Sequence, residues 1–351
     1  MSNAYAPISH ESMIDRLGDY LKTQLPEARD IRIENVKRIA VGWSHETWLL
    51  DAEWVADGAK HTRPLCVRRD PGNALLRDTS DLKVQFQVLK CLEATKVPTP
   101  APYWYEEDLD ILGAPFIVME KVEGVCPSAY SSDGRKFYQA AADRGVLPLE
   151  FIDTLADLHT LDWRGAGLDF LGVPADTRDF ALSEISKWQK LIEDSELPIS
   201  PILVDLMCWL EENVPSDTGR LSLVHGGYRT GNLLIQDDKI SAVLDWELQV
   251  IGDPLYDVAY VLSDLNRSGT ELLSNLVDRD LFFERYEAAT GIQIDEGACR
   301  YYQALYVLRT AAFWMSAAGL YASGASDDLR LARAAWSITT VLDRAAQALN
   351  Y

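Results

Sequence analysis

Positive charge is scarce in this chain: 33 Lys and Arg stand against 54 Asp and Glu, a formal net charge of −21. A field of that sign repels nucleic-acid backbones and anionic membranes, so neither is expected as a partner, and an anionic ligand needs a local basic pocket. Paired cysteines are lacking as well. Cys66, Cys91, Cys126, Cys208 and Cys299 are odd in number and scattered, with no CxxC pair and no histidine at metal-ligand spacing, and they read as buried thiols of a reducing compartment. The first residues, MSNAYAPISHESM, have neither the basic region nor the apolar run of a signal peptide. No apolar stretch approaches the roughly 18–20 residues that span a bilayer, so a cytoplasmic protein is expected. Internal repeats of solenoid period are absent too.

With 351 residues and 48% hydrophobic content, the chain can bury a large core. Residues 11–25 carry Met13, Ile14, Leu17, Tyr20 and Leu21 at helical spacing. Short β-rich runs follow over 31–54 and 64–70, then a helix over 81–92 opened by Ser80 or Asp81. The proline turn at 97–102 ends it, and strands are expected at 103–105 and 115–122. Beyond that the pattern is mostly helical, over 151–161, 179–193 and 201–213. At least four more helices are expected from Glu271 onward, among them 300–318 and 327–349. The expectation is an α+β chain of two lobes, a β-rich lobe over 1–122 and a helical lobe over 123–351 with an embedded hairpin.

The stretch from Leu223 to Asp257 carries the chemistry. Asn232 opens the run LLI, and Asp245 closes the run ISAVL thirteen residues later. Magnesium takes hard oxygen ligands and keeps several waters, so an amide and a carboxylate on one hairpin are enough protein ligands for a nucleotide-bound ion. Taken singly, Asn232 reads as a turn residue and Asp245 as an exposed strand end; their combination points to phosphoryl transfer.

In this stretch stand His225-Gly226-Gly227, Asn232, Asp245-Trp246-Glu247, Gly252-Asp253-Pro254 and Asp257-Val258-Ala259. The pattern resembles the catalytic motif of the aminoglycoside phosphotransferase and choline kinase superfamily, relatives of the eukaryotic protein kinases, and most of all the kinase-like domain of acyl-CoA dehydrogenase family members 10 and 11. The resemblance covers about residues 35 to 320. It implies a bilobal protein-kinase-like fold that uses ATP and Mg2+, with Asn232 and Asp245 as metal ligands. It further implies that Gly42, Trp43 and Ser44 form the loop over the phosphates, that Arg68 contacts the α- and β-phosphates, and that Glu120 to Val122 form the adenine-binding hinge. Gln85 stands where the partner glutamate of the basic residue is expected. Arg229 falls at the place of a γ-phosphoryl contact, while His225, Asp253 and Asp257 are implied to hold the catalytic loop, and His159 to pack.

One position departs from the pattern: Gly227 occupies the place of the carboxylate that accepts the hydroxyl proton. General base catalysis contributes typically 10²–10⁴-fold, and phosphoryl transfer depends mainly on positioning and charge stabilisation. The transfer therefore survives without the base, or another residue or the substrate takes the proton, or the protein binds nucleotide without catalysis, as a pseudokinase. The acceptors the resemblance implies are small hydroxyl compounds: an aminoglycoside-like antibiotic, choline or ethanolamine, a sugar, or a hydroxyacyl-CoA. Oligomeric state is not legible.

Overall fold

The computed structural model describes residues 5, 8–39, 45–70, 72, 81–326 and 328–350. The chain forms two compact units. One comprises Met1–Glu93 and Thr99–Glu123, the other Ala94–Pro98 and Gly124–Tyr351.

In the first unit, helix α1 (His10–Gln24) precedes strands β1 (Arg29–Ile39), β2 (Glu46–Ala56) and β3 (Ala59–Arg69); helix α2 (Leu82–Leu92), strand β4 (Pro102–Glu106), the short helix α3 (Leu109–Leu112) and strand β5 (Phe116–Glu120) follow. The strands make one antiparallel sheet in the order β1-β2-β3-β5-β4. Strand β2 alternates strictly, placing Trp48, Leu50, Ala52, Trp54 and Ala56 on the buried face. Asp57 and Gly58, both at positive φ, close the β2–β3 hairpin as a two-residue turn whose twist matches the strands. Helix α1 lays Met13, Leu17, Tyr20 and Leu21 into the same core. Asp81 caps α2, accepting the Lys83 N–H at 2.7 Å.

The second unit contains α4 (Ser132–Arg144), α5 (Val146–Thr160), α6 (Thr177–Asp194) and α7 (Pro201–Glu212). Strands β6 (Ser222–Val224), β7 (Leu233–Gln236), β8 (Lys239–Val243) and β9 (Val250–Gly252) come next, then α8 (Leu255–Leu262), α9 (Arg279–Thr290), α10 (Glu296–Ala322) and α11 (Leu329–Ala348). Helix α10 is the axis of this unit: sixteen of its residues from Ala298 to Gly319 are buried, and it packs on α6, α7, α8 and α11. Residues 94–98 belong here because the Val243 N–H, at the end of β8, donates to Pro98 O at 2.8 Å.

Three expectations are corrected. Past Glu271 the described residues hold three α-helices rather than four or more, because α10 runs unbroken for 27 residues. Strand β5 stops at Glu120, two residues short of Val122. The cysteines are not uniformly buried: Cys299 is, Cys66 and Cys91 are half-buried, and Cys126 and Cys208 are exposed, all as free thiols. Cys208 lies off the buried face of α7, and Cys126 lies in the segment between β5 and α4.

Candidate functional site

Strands β6 and β9 pair antiparallel, Ser222 with Gly252, Leu223 with Ile251 and Val224 with Val250, so the chain leaves the two strands at opposite ends and α8, which follows β9, reaches back to the loop after β6. From this point Asp257, in the first turn of α8 and fully buried, accepts the His225 N–H at 2.7 Å and the Gly226 N–H at 2.9 Å. His159 Nε2 lies 3.3 Å from the same carboxylate, and its Nδ1 is 2.7 Å from the Tyr286 hydroxyl. A carboxylate only accepts, so His159 donates through Nε2 and receives the tyrosine proton at Nδ1. Burial alone would raise Asp257, but the hydrogen bond and charge of His159, then His225 and its backbone N–H, more than reverse this and hold the carboxyl below its ordinary value. Asp253, also fully buried, accepts the Leu255 N–H and the Tyr302 hydroxyl, both at 2.9 Å. There burial dominates and pushes the carboxyl up to about 6.

The loop above these carboxylates is fixed from several sides. Gly226 sits at φ +77, and a Cβ on it would lie 2.5 Å from Leu248 O, so glycine is required. Its carbonyl accepts from Arg309 Nη1, a guanidinium buried in α10 and stacked over the rings of Tyr306 (4.2 Å) and Tyr260 (5.2 Å). His225 receives the Gly227 N–H at Nδ1 (3.1 Å) and donates through Nε2 to Leu244 O (2.8 Å), with Trp246 packed on its ring at 4.8 Å. Burial lowers its pKa, so both nitrogens of a neutral imidazole are spent on the main chain.

That network fixes the backbone on which Asn232 and Asp245 stand. Asn232 ends a 3-10 turn over Thr230–Asn232, and its Nδ2 donates to Gly227 O at 2.9 Å. With the nitrogen committed there, the amide oxygen is the acceptor Asn232 offers elsewhere. The Leu244 N–H donates to Asn232 O at 2.8 Å, which sets Asp245 beside Asn232 at the foot of the β7–β8 hairpin. Asp245 is exposed and takes φ 68, a left-handed conformation that Asp tolerates better than most residues. The Arg229 guanidinium folds back over Gly231, its Cζ 3.2 Å from where a Cβ of that glycine would stand, and it makes no ion pair among the described residues. Cys126 Sγ lies 3.2 Å from Gly231 O.

In the first unit, Arg68 stands on β3 opposite Ile117, with Nη2 3.1 Å from His45 Nδ1. Glu120 ends β5: its N–H donates to Ala101 O at 2.8 Å and its carboxylate accepts the Ala101 N–H at 3.3 Å, while Val122, just beyond, is half-buried. Gln85 is buried on α2. Gly42, Trp43 and Ser44 lie outside the described residues. The structure thus gathers Arg229, Asn232, Asp245, His225, Asp253 and Asp257 in one unit, and Arg68 and Glu120 in the sheet of the other. Arg309, Tyr286 and Tyr302 were not anticipated. The one available signal was an arginine inside the apolar run YVLRTAAF.

The family profile described as "Phosphotransferase enzyme family" matches residues 35–300. Acyl-CoA dehydrogenase family member 11 of Rattus norvegicus is 30% identical over 256 residues, 72% of this chain and 31% of that protein, so the chain spans about a third of the length of the curated relatives it matches. Among solved structures, a Ralstonia eutropha protein described as a candidate aminoglycoside phosphotransferase superposes with TM-score 0.71 at 23% identity, covering 95% of this chain and 97% of that one. A thermostable mutant of aminoglycoside phosphotransferase APH(4)-Ia, in ternary complex with ADP and hygromycin B, superposes with TM-score 0.56 at 15% identity, over 95% and 98% of the two chains. These likenesses establish the fold: an antiparallel sheet followed by a helical half that carries the β7–β8 hairpin is the kinase-like architecture expected from the motif.

Proposed function

We propose, from the premise that this chain belongs to the phosphotransferase enzyme family, that it transfers the γ-phosphoryl group of ATP to a hydroxyl of a small molecule with Mg2+ as cofactor. The observation that supports this reading is the backbone hydrogen bond from Leu244 N–H to Asn232 O, which brings the chain at Asp245 next to Asn232, whose Nδ2 is tied to Gly227 O. Two hard oxygen donors fit magnesium, and Asn232 and Asp245 are the residues that would hold it. When bound, the ion neutralises phosphate charge. Arg229, which makes no ion pair among the described residues, is suited to the transferring phosphoryl group, and Arg68 to the α- and β-phosphates. The Gly42–Ser44 loop would cover the phosphates, and the backbone of Glu120 to Val122 would take the adenine edge. The ADP and hygromycin B held by the APH(4)-Ia neighbour support a nucleotide and a small acceptor here.

Gly227 favours a second reading, a nucleotide binder without turnover. Thermal unfolding with ATP, with and without Mg2+, tests the first half of the proposal. The natural chain gains stability that depends on the ion, and Asn232→Ala and Asp245→Ala lose that gain while melting within a few degrees of it. ADP release across a panel of hydroxylated metabolites tests the second half: release dependent on an acceptor supports the transferase, and ion-dependent stabilisation with no release from any acceptor supports the silent binder.

A further inference from the structure

Helix α11 takes no part in the site described above and lies beyond the residues 35–300 that the family profile matches. It buries Leu331, Ala334, Val341 and Ala345 where it packs on α10 and α7. The opposite face is open. Leu329, Arg333, Trp336, Thr340, Asp343 and Gln347 recur along it at intervals of four and three residues, every one exposed, with Leu329 at 73% and Trp336 at 82%. That spacing keeps to one side of a helix, here for about 28 Å, and is the seam along which two helices pack.

The stripe is complementary to itself. Turned over by a two-fold axis at the level of Ile338, it sets Leu329 against Gln347, Arg333 against Asp343 and Trp336 against Thr340 of a second copy, each pair occurring twice as an isologous contact requires. Arg333 and Asp343 cannot reach each other within one chain, because they stand about 15 Å apart along the helix. Neither makes an ion pair among the described residues, and the positions three and four away from Arg333 hold Leu329, Arg330, Trp336 and Ser337, with no acid. Where the indole of Trp336 meets the other helix, Thr340 and its neighbours Ser337 and Thr339 are small enough to receive it. The local charge is suitable as well. Helix α11 holds three arginines and one aspartate in a chain of net charge −21, so along this face two copies meet without the repulsion between their acidic surfaces.

We propose that a second copy of this chain covers the face: two α11 helices pack antiparallel across a two-fold axis at Ile338, with Trp336 as anchor and two Arg333–Asp343 pairs fixing the register. A parallel pair in register would oppose Arg333 to Arg333 and Asp343 to Asp343, so only the antiparallel pair is free of like-charge contacts. The ion pairs select the arrangement, and the buried indole supplies most of the affinity. One helix pair of this length covers less than the roughly 1,600 Å² of a standard interface. The dimer is therefore reversible, with a dissociation constant on the order of 10–100 µM.

Sedimentation velocity of the full chain from about 1 to about 500 µM, at about 0.15 M salt to screen the acidic surfaces, tests this without reference to catalysis. The natural chain should pass from monomer to dimer within that range. Trp336→Ala should weaken the dimer at least about tenfold, and Arg333→Asp and Asp343→Arg each as much, since either change places two like-charge contacts in every dimer. Combining the two exchanges in one chain restores both pairs at an unchanged net charge, so the dissociation constant should return to within about threefold of the natural one. An equimolar mixture of the two single variants should likewise form a dimer that neither forms alone. All three side chains are exposed, so thermal midpoints should match the natural chain; if a charge variant fails to fold, Trp336→Ala decides. A chain that stays monomeric throughout would overturn the proposal and leave the face to a partner other than this chain. A dimer indifferent to these substitutions would place the contact elsewhere and overturn it too, and failure of both the combined exchange and the mixture to restore association would overturn the two-fold pairing.

Discussion

Replacing Asp257 by Asn changes one buried atom and breaks the floor of the loop. The carboxylate accepts from the His225 and Gly226 N–H groups through different oxygens, at 2.7 and 2.9 Å, and from His159 at 3.3 Å. An asparagine keeps one oxygen and turns an NH2 toward the other donors. His159 can answer by changing tautomer and donating to Tyr286, but the backbone N–H cannot. One buried donor left unsatisfied costs about 1–3 kcal/mol, and the bond that survives is no longer charge-assisted, which adds about 1 kcal/mol. The sum of about 3 kcal/mol predicts a fall of roughly 6–12 °C in the thermal midpoint for a unit of this size. The difference should also depend on pH in a definite direction. Asp257 is held below its ordinary value in the fold, so its contribution is complete above the unfolded value of about 3.9 and disappears as pH falls through the folded one. Melting curves of both chains from neutral pH down to about pH 3 check this. A variant that melts within about 1 °C of the natural chain at neutral pH, or a gap that widens on acidification, would refute the claim that this carboxylate holds the loop.

Asp253 should behave in the opposite sense. Its folded value of about 6 lies above the unfolded one, so stability is greatest below about pH 4 and declines as pH rises through 6, by about 2–3 kcal/mol; Asp253→Asn, which can still accept from Leu255 and can donate to Tyr302, removes that decline in urea titrations at matched pH. The two adjacent glycines should separate cleanly in thermal melts: Gly226→Ala drives a Cβ to 2.5 Å from Leu248 O and lowers stability by about 2 kcal/mol or more, whereas Gly227→Ala meets nothing closer than 3.5 Å and changes it by less than about 1. Arg309→Met keeps the stem among Tyr306 and Tyr260 and deletes the donor to Gly226 O, so it should cost about 1–3 kcal/mol, measured by urea unfolding, and weaken ion-dependent ATP stabilisation along with it.

What the sequence disclosed followed from how local each signal is. The β7–β8 hairpin was legible because a short turn joins its two apolar runs, and strand β2 because its burial alternates residue by residue. Helix α4 was not, since it buries only Gly134, Tyr138 and Ala141 along thirteen residues and shows no apolar stripe. Arg309 reaches Gly226 across 83 residues, a pairing no local pattern encodes. The exposed Cys126 and Cys208 were misread because composition reports how many thiols there are, not which way each one faces.

The short excursion of residues 94–98 into the second unit bears on how the molecule can be dissected. The backbone changes unit at 93/94, at 98/99 and again at 123/124, so no single cut separates the halves. A fragment beginning at Gly124 would lack the Pro98 carbonyl that receives the Val243 N–H, just two residues ahead of Asp245. Half-molecule expression should therefore graft that pentapeptide onto the helical fragment, or the clasp on the end of β8 goes with the piece removed.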